Sequence, residues 1–364
     1  MTLYDYLKQR GNLSFDENPF NEVDNLIICT ILYTWIDEYF LEKNSYTVSQ
    51  LADRFFSDYS EEEIKRRKKK GPYVFRAMAY TNRFKDCLIH DFVSRINDET
   101  GEQFCAMQMD LGDNTTFVAF RGTNHTILGW RENLSLSFKL IPAQLSASEY
   151  VNTRLSKDKM YRIGGHSKGG NLAVFAAISL DYTDNIIKVY SNDGPGLNKK
   201  YLSDKQKENY QKIKDKIIKY APQIDIFGVL LTSMTNTEII KAYGILLYQH
   251  RSTSWMVDGN HFVPGKLSEK SKMIKKYFKE YLNKTTAKER QKFIDTVYFT
   301  LKDMGIDSLT DLRNHSTYKE AKRRLKNALD DEDKKFYKGL VHTLLKGYFK
   351  GLGQHIINVI TFKR

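Results

Sequence analysis

The segment Gly165–Gly169 carries a serine flanked by glycines two positions away on each side. It follows the strand-like segment Met160–Ile163 and precedes the alanine-rich, helical segment Asn171–Leu180. In a sharp strand-to-helix turn a serine exposes its hydroxyl, and small neighbours let the two backbones approach each other. The N-terminus of the following helix favours a developing negative charge. Ser167 is therefore the candidate nucleophile, and His166 beside it is expected to point elsewhere.

A nucleophilic serine needs a base, and in hydrolases with such a turn the base comes last in the chain. Among the eight histidines, His250 and His261 follow the serine before the chain becomes helical again. His250 ends the strand-like segment Gly244–Gln249, where a base is expected. His261 follows the turn-like segment Asp258–Asn260 and is kept as the alternative base. We prefer His250.

Two aspartates compete for the role of the acid that orients this base. Asp193 follows the strand-like segment Ile186–Tyr190 in a tight turn, and Asp225 follows the strand-like segment Ile217–Tyr220. Both lie between the serine and the preferred histidine, so the order of residues along the chain does not choose between them. Each aspartate could also have a purely local role, Asp193 as a turn residue that bonds its own backbone and Asp225 as a helix N-cap.

The negative oxygen that forms during acyl transfer needs two hydrogen-bond donors. One is expected to be the backbone N–H of Lys168, directly after the serine. The second is expected at the end of the core strand Phe117–Thr123, with the hydroxyl of Thr123 as an additional donor. Residues 129–141, an aromatic and aliphatic segment, form either a lid over the serine or a buried crossover connection.

The elements that must position these residues change character twice along the chain. Residues 1–85 show helical spacing of apolar positions, and from Cys87 an alternating pattern predicts an antiparallel meander that leads into a core strand. Strands that alternate with helices follow, which predicts a largely parallel sheet. We predict an α/β-hydrolase core at residues 86–266 with helices on both faces, a helical segment at 1–85 packed on it, and an accessory helical region at 267–364.

Composition and charge exclude several classes of protein. The chain has 364 residues, of which 41% are hydrophobic and 13% aromatic, enough for a large core. No apolar run is long enough for a transmembrane helix, no basic leader precedes the first apolar segment, and the three cysteines show no zinc-binding spacing. We expect a cytoplasmic protein with reduced thiols, without a metal or an organic cofactor.

The net charge of +13 is concentrated near the C-terminus, because residues 281–364 carry 18 Lys and Arg against 10 Asp and Glu. Helical segments there, Tyr318–Leu329 and Phe336–Phe349, allow weak contact with an anionic membrane surface. A solvated, lysine-rich surface explains the same charge, and we expect no specific binding of nucleic acid.

Four motifs together resemble a bacterial family of lipase-like α/β-hydrolases, long catalogued as a domain of unknown function and distantly similar to the class 3 lipases. They are the segments Phe120–Thr123, Gly165–Ala173, Asn192–Gly196 and Gln249–Trp255, in which Gln249-His250 and Ser254-Trp255 carry the likeness. The resemblance covers most of the chain. It implies Ser167 as nucleophile, His250 as base and, because the family keeps the aspartate before the Gly-Pro-Gly turn, Asp193 as acid. Arg251 departs from the aspartate usual after the histidine.

The residues and the resemblance together predict a serine hydrolase of esterase or lipase type, which acts on a small acyl ester or a lipid through an acyl-enzyme. An acyltransferase or thioesterase would use the same triad. From a different class, the chain would be a non-catalytic hydrolase-fold module whose basic tail binds an anionic partner.

Overall fold

The computed structural model describes residues 1–67, 70–124, 126–225, 236–245, 248–308 and 311–329, together with residues 331 and 334. The predicted helix Phe336–Phe349 lies outside the described residues. None of the helices found in these ranges combines the length and the apolar character needed to cross a membrane.

The N-terminal segment is helical, as its spacing predicts, apart from one short strand. Its elements are α1 (Leu3–Arg10), α2 (Glu22–Ile31), α3 (Tyr39–Glu42), β1 (Ser45–Thr47), α4 (Val48–Asp58), α5 (Glu61–Arg67) and α6 (Gly71–Ala79). Helices α1, α2 and α4 are capped by Thr2, Asn21 and Thr47, whose side chains accept hydrogen bonds from backbone N–H groups of the first turn. The sequence did not reveal β1, because three residues are too few to show alternation.

The chain continues into a sheet in which eight strands pair in sequence order, β1 to β8, within the described residues. The new strands are β2 (Leu88–Asn97), β3 (Glu102–Asp110), β4 (Thr115–Phe120), β5 (Met160–His166), β6 (Ile186–Asn192), β7 (Ile217–Pro222) and β8 (Thr237–Ile240). Strands β1 to β4 are antiparallel neighbours, and β4 to β8 are parallel. The carboxyl ends of the parallel strands therefore meet at one edge, where ligands bind in α/β sheets.

Helices cover both faces of this sheet, so the predicted α/β-hydrolase fold is confirmed. Between the strands lie α7 (Ile127–Ser135), α8 (Pro142–Arg154), α9 (Lys168–Ser179) and α10 (Asp204–Ile213). Residues of α8, α9 and α10 form one buried core with the sheet, while α1, α2, α4 and α6 form the other core on the opposite face. The boundaries of the three predicted segments stay predictions.

One predicted strand is not found among the described residues. The sequence predicts a strand at the apolar segment Gly244–Gln249, but Tyr243 to Ile245 form a bend, the described part of the sheet ends with β8, and residues 246–247 lie outside the described ranges. Gly244 has a φ of +80°, which breaks an extended backbone. A two-stranded hairpin follows, made of β9 (Val257–Asp258) and β10 (His261–Phe262).

The C-terminal region is helical in its described part, with α11 (Glu269–Lys284), α12 (Ala287–Lys302) and α13 (His315–Ala328). Its apolar side chains pack on α7, because Ile127 and Leu128 share a buried cluster with Leu301 of α12 and Leu325 of α13. The segment 129–141, predicted as a lid or a crossover, packs against the same region, because Phe138 shares a buried cluster with Phe293 and Ile294 of α12. The apolar face of α13 is occupied by its contact with α7.

Candidate active site

Ser167 lies in a strained turn between β5 and α9. Its φ of +58° and ψ of −130° fall in a region that residues other than glycine rarely adopt. The turn is fixed from both sides, since the backbone N–H of Ser167 donates to the carbonyl oxygen of Asn192 at 2.8 Å and that of Gly170 donates to the carbonyl oxygen of Ser167 at 2.9 Å. Such strain is stored where the surrounding structure over-determines a conformation, typically at functional sites.

The two glycines of the motif allow the strand and the helix to come close to each other. A Cβ on Gly165 would lie 2.1 Å from the carbonyl oxygen of Gly169, and a Cβ on Gly169 would lie 2.1 Å from the carbonyl oxygen of Phe120. Neither position has room for a side chain. The spacing of small residues around the serine therefore has a steric cause.

The preferred base and the preferred acid are brought together. His250 Nδ1 lies 2.6 Å from Asp193 Oδ2, and the carboxylate is fully buried. Asp193 has a φ of +49°, and its backbone N–H donates to the carbonyl oxygen of Tyr220 at 2.7 Å, so the carboxylate is aimed from a rigid turn at the end of β6. Asn171 holds the following loop by donating to the carbonyl oxygen of Gly196 at 2.8 Å.

The loop of the base is built on Gln249 and Trp255. The carbonyl oxygen of Gln249 accepts from Trp255 Nε1 at 3.0 Å and from Ser254 Oγ at 3.2 Å. The side chain of Gln249 donates to the carbonyl oxygen of Gly244 at 3.0 Å and accepts from the backbone N–H of Ile224 at 2.9 Å. These contacts give the Gln249-His250 and Ser254-Trp255 motifs a common purpose, because they fix the backbone on which the base stands.

His166 contacts the base, although the sequence predicted only that it would point elsewhere. Its Nε2 lies 2.7 Å from the carbonyl oxygen of His250, and the two rings are 4.7 Å apart. Tyr33 Oη lies 3.3 Å from the other ring nitrogen, Nδ1. Burial, and then the neighbouring His250, lower the pKa of His166 to about 3, so the ring is neutral and carries its proton on Nε2.

The alternative acid and the alternative base occupy different surroundings. Asp225 is buried, and its backbone N–H donates to Ser271 Oγ at 3.0 Å. His261 stands on β10 with 76% of its side chain exposed, and its Nδ1 lies 3.6 Å from Glu22 Oε2. The structure places Asp193 within hydrogen-bond distance of His250, and it places His261 beside an acid of α2.

Burial and a neighbouring charge act on the pKa of His250 in opposite directions. Burial lowers the pKa of His250 to about 4, and the negative charge of Asp225 works against this shift.

Sequence reasoning missed Lys219, a buried lysine on β7. Burial lowers the pKa of Lys219, and the negative charges of Asp225 and Asp193 offset only part of this shift. The sequence feature that could have identified Lys219 is a lysine inside an otherwise apolar core strand.

The predicted oxyanion donors lie around the serine turn. Lys168 is the first residue of α9, where backbone N–H groups have no partner within the helix. A Cβ on Gly122 would lie 3.2 Å from Ser167 Cβ, so the start of the loop after β4 lies beside the serine. Thr123 Oγ1 is buried and has no hydrogen-bond partner among the described residues. A buried hydroxyl without a partner is costly unless a ligand completes it.

Ser167 is 8% exposed, and no hydrogen bond joins its Oγ to His250 in the part of the chain that the structure describes. Such bonds are often long in free enzymes and tighten when substrate binds. The described residues contain no cluster of His, Cys, Asp and Glu suited to hold a metal ion. The arrangement offers a serine in a strained turn, a carboxylate-paired imidazole and hydrogen-bond donors for an anion.

Comparisons with known proteins found a matching family and similar solved structures. The model of the Mbeg1-like family matches residues 78–299, which is more than half of the chain and includes Ser167, Asp193 and His250. The structure is similar to that of Rhizomucor miehei lipase in its native propeptide complex, with 18% sequence identity, a TM-score of 0.33 and coverage of 43% of this chain and 57% of that chain. It is also similar to M37 lipase, with 15% identity, a TM-score of 0.33 and coverage of 56% of this chain and 68% of that chain. This chain thus spans little more than half of the Rhizomucor miehei lipase, and no curated protein matches it.

Proposed function

The chain belongs to the Mbeg1-like family, and we propose that it is a lipase-like serine hydrolase that cleaves a carboxylic ester through Ser167, His250 and Asp193. The observation that carries this proposal is the 2.6 Å contact between Asp193 Oδ2 and His250 Nδ1. The contact supports the proposal, because a neutral imidazole that donates from Nδ1 to the carboxylate leaves Nε2 as the acceptor that a general base requires.

In the proposed reaction His250 Nε2 removes the proton of Ser167 Oγ while this oxygen attacks the acyl carbonyl carbon. The electrons of the C=O bond move to oxygen, and the resulting oxyanion accepts hydrogen bonds from the backbone N–H of Lys168 and from Thr123 Oγ1. When the carbonyl re-forms, the ester C–O bond breaks and His250 gives its proton to the departing alcohol. Water, deprotonated by His250, then attacks the acyl-enzyme and releases the acid and the free serine.

The substrate class follows from this chemistry as an acyl ester, either a small ester or a lipid. The protonation state of His250 supports the proposed role as base, because burial keeps its imidazole neutral at neutral pH. Hydrolysis of p-nitrophenyl esters of graded chain length would define the preferred acyl group.

The decisive experiment is labelling of the full-length protein with a fluorophosphonate probe, which reacts only with an activated serine. We expect the wild-type protein to be labelled and Ser167→Ala to be unlabelled, with ester turnover reduced by about 10⁶, the order of magnitude found when a triad serine is removed. The matched control is Ser179→Ala, because Ser179 ends the same helix, and its Oγ donates to the carbonyl oxygen of Phe175 and accepts from Gln206 Nε2, contacts that involve none of the candidate catalytic residues. Labelling that persists in Ser167→Ala would refute the assignment, and an unlabelled wild-type protein would favour a non-catalytic module.

A further inference from the structure

A buried ion pair lies directly behind the candidate oxyanion hole. The side chains of Lys168 and Glu132 are 0% and 1% exposed, and Lys168 Nζ donates to Glu132 Oε2. The same ammonium group donates to the carbonyl oxygen of Gln103 at 2.6 Å. Glu132 Oε1 accepts from the backbone N–H of Ala143 at 3.1 Å. The lysine next to the serine thus joins α9, α7 and the start of β3.

Gln103 carries this connection into the loop that holds Thr123. Its Oε1 accepts from the backbone N–H of Asn124 at 2.9 Å, and its Nε2 donates to Thr126 Oγ1 at 3.2 Å. Thr126 in turn caps α7 by accepting from the backbone N–H of Gly129 at 3.2 Å. The loop between β4 and α7 therefore has its backbone tied to the same residue whose carbonyl oxygen binds the lysine.

The two predicted oxyanion donors come from different parts of the chain. One is the backbone N–H of Lys168 on α9, and the other is Thr123 in the loop after β4. Both are connected through one ammonium group, because Lys168 Nζ binds Gln103 and Gln103 binds the residue that follows Thr123. Stabilisation of an oxyanion depends on donors held at about 2.7–3.1 Å from the charged oxygen, so their relative placement is decisive.

Stability alone is a poor explanation for this pair. The cost of removing two charges from water roughly cancels their attraction, and apolar residues of the same size often serve a core equally well. Burial raises the pKa of Glu132 while Lys168 lowers it, which reflects this balance. What charges provide and apolar residues do not is direction, because each hydrogen bond fixes a particular group at a particular place.

We propose that the side chain of Lys168 is a positioning group for the oxyanion hole, which through Glu132 and Gln103 fixes the loop of Thr123 relative to the N-terminus of α9. The inference rests on the proposed hydrolase function. Its consequence is that the lysine contributes twice, since its backbone N–H binds the oxyanion and its ammonium group sets the distance to the second donor.

The test compares three variants of the full-length protein. Lys168→Met keeps the backbone donor but removes the ammonium group. The double variant Lys168→Met/Glu132→Gln also avoids leaving a buried carboxylate without its cation, so it remains informative if the single variant does not fold. Gln103→Leu leaves the ion pair intact and cuts only the link to the loop. The matched control is Lys205→Met, because Lys205 belongs to an exposed ion pair with Asp181.

For each variant, kcat and KM are measured with an ester and with the corresponding thionoester, in which sulfur replaces the carbonyl oxygen. Sulfur is a larger and weaker hydrogen-bond acceptor than oxygen, so the ratio of ester to thionoester turnover reports on the oxyanion hole. We expect each network variant to lose about 10² in kcat, the order found for loss of one oxyanion donor, with KM unchanged and the ester-to-thionoester ratio reduced. Lys205→Met should match the wild-type protein.

Two outcomes would overturn the proposal. Folded variants with the kcat of the wild-type protein would show that the network does not position the hole. A fall in kcat with an unchanged ester-to-thionoester ratio would assign the network a purely structural role. Failure of the hydrolase function itself is distinguishable, because the wild-type protein would then neither turn over the ester nor react with the fluorophosphonate probe.

Discussion

His166 and His250 are joined by a hydrogen bond from a ring to a backbone, with 2.7 Å between His166 Nε2 and the carbonyl oxygen of His250. His166 directly precedes the candidate nucleophile, and His250 is the candidate base. The bond therefore ties the turn of the serine to the loop of the base without using the nitrogen that would accept a proton. We expect His166 to be a positioning residue.

The first prediction follows from this bond. His166→Leu removes the donor, and we expect kcat to fall by up to about 10² with little change in KM, because a displaced base spoils the geometry of attack. His166→Gln, whose amide N–H can reach the same carbonyl oxygen, should recover part of the loss. Steady-state kinetics on an activated ester measure both values. Equal losses in the leucine and glutamine variants would assign the effect to packing of the ring rather than to the hydrogen bond.

The sequence predicts the chemistry-bearing turn better than it predicts its surroundings. The strand–turn–helix context of Ser167 follows from local spacing, and the structure has β5 and α9 on either side of the serine. The partners of His166 cannot be found in this way, because its carbonyl acceptor lies 84 residues further on and Tyr33 lies 133 residues earlier. Only the folded chain brings such groups together.

The choice between the two aspartates shows the same limit. Both follow neighbouring parallel strands, β6 and β7, so order and spacing place them equally well. In the structure Asp193 has a positive φ and its carboxylate contacts His250, and a backbone conformation of this kind cannot be read from spacing alone. The failure to predict the bend at Gly244 has a related cause, because the apolar composition of the segment Gly244–Gln249 masks it.

The second prediction concerns the acid. Asp193→Asn should reduce turnover by about 10⁴, because the amide can hold the imidazole in the wrong tautomer. Asp225→Asn should cost much less, since Asp225 affects His250 through its charge. The two substitutions are well matched, as both residues are buried and both variants keep the shape of the side chain. If Asp225→Asn lost more turnover than Asp193→Asn while both variants kept the same melting temperature, Asp225 rather than Asp193 would be the acid that orients His250.

The third prediction concerns pH. The base must be neutral, so activity is lost as the pH falls through the pKa of His250, which burial lowers to about 4. We expect kcat/KM to stay constant from neutral pH down to about pH 5 and to decline below it. Asp225→Asn removes a negative charge that favours the protonated ring, so the decline should move to lower pH. A decline centred near the ordinary histidine value of 6.5 in the wild-type protein would contradict this expectation.

The fourth prediction concerns the N-terminal helices, which a buried ion pair ties to the residues that lead into the sheet. Arg83 Nε donates to Asp24 Oδ1 at 2.8 Å, and both side chains are fully buried. Asp24 Oδ1 also accepts from Tyr6 Oη at 2.9 Å, and Arg83 Nη1 donates to the carbonyl oxygen of Asn18 at 2.7 Å. The pair therefore joins α1, α2 and the loop between them to the residue that leads into the sheet.

Arg83→Met would leave the carboxylate of Asp24 buried without its cation. We expect the free energy of unfolding to fall by about 3–5 kcal/mol, the usual cost of breaking a buried pair, measured by urea denaturation at neutral pH. Arg54→Met is the control, because Arg54 pairs with Glu42 at the surface, where such a pair contributes only about 0–1 kcal/mol. Since Asn25 of α2 also exchanges hydrogen bonds of 3.0 Å with Asn192, the residue before Asp193, ester turnover of Arg83→Met should decline at lower urea concentrations than that of the wild-type protein. Equal denaturation midpoints for Arg83→Met and Arg54→Met would show that the buried pair contributes no more to stability than the surface pair.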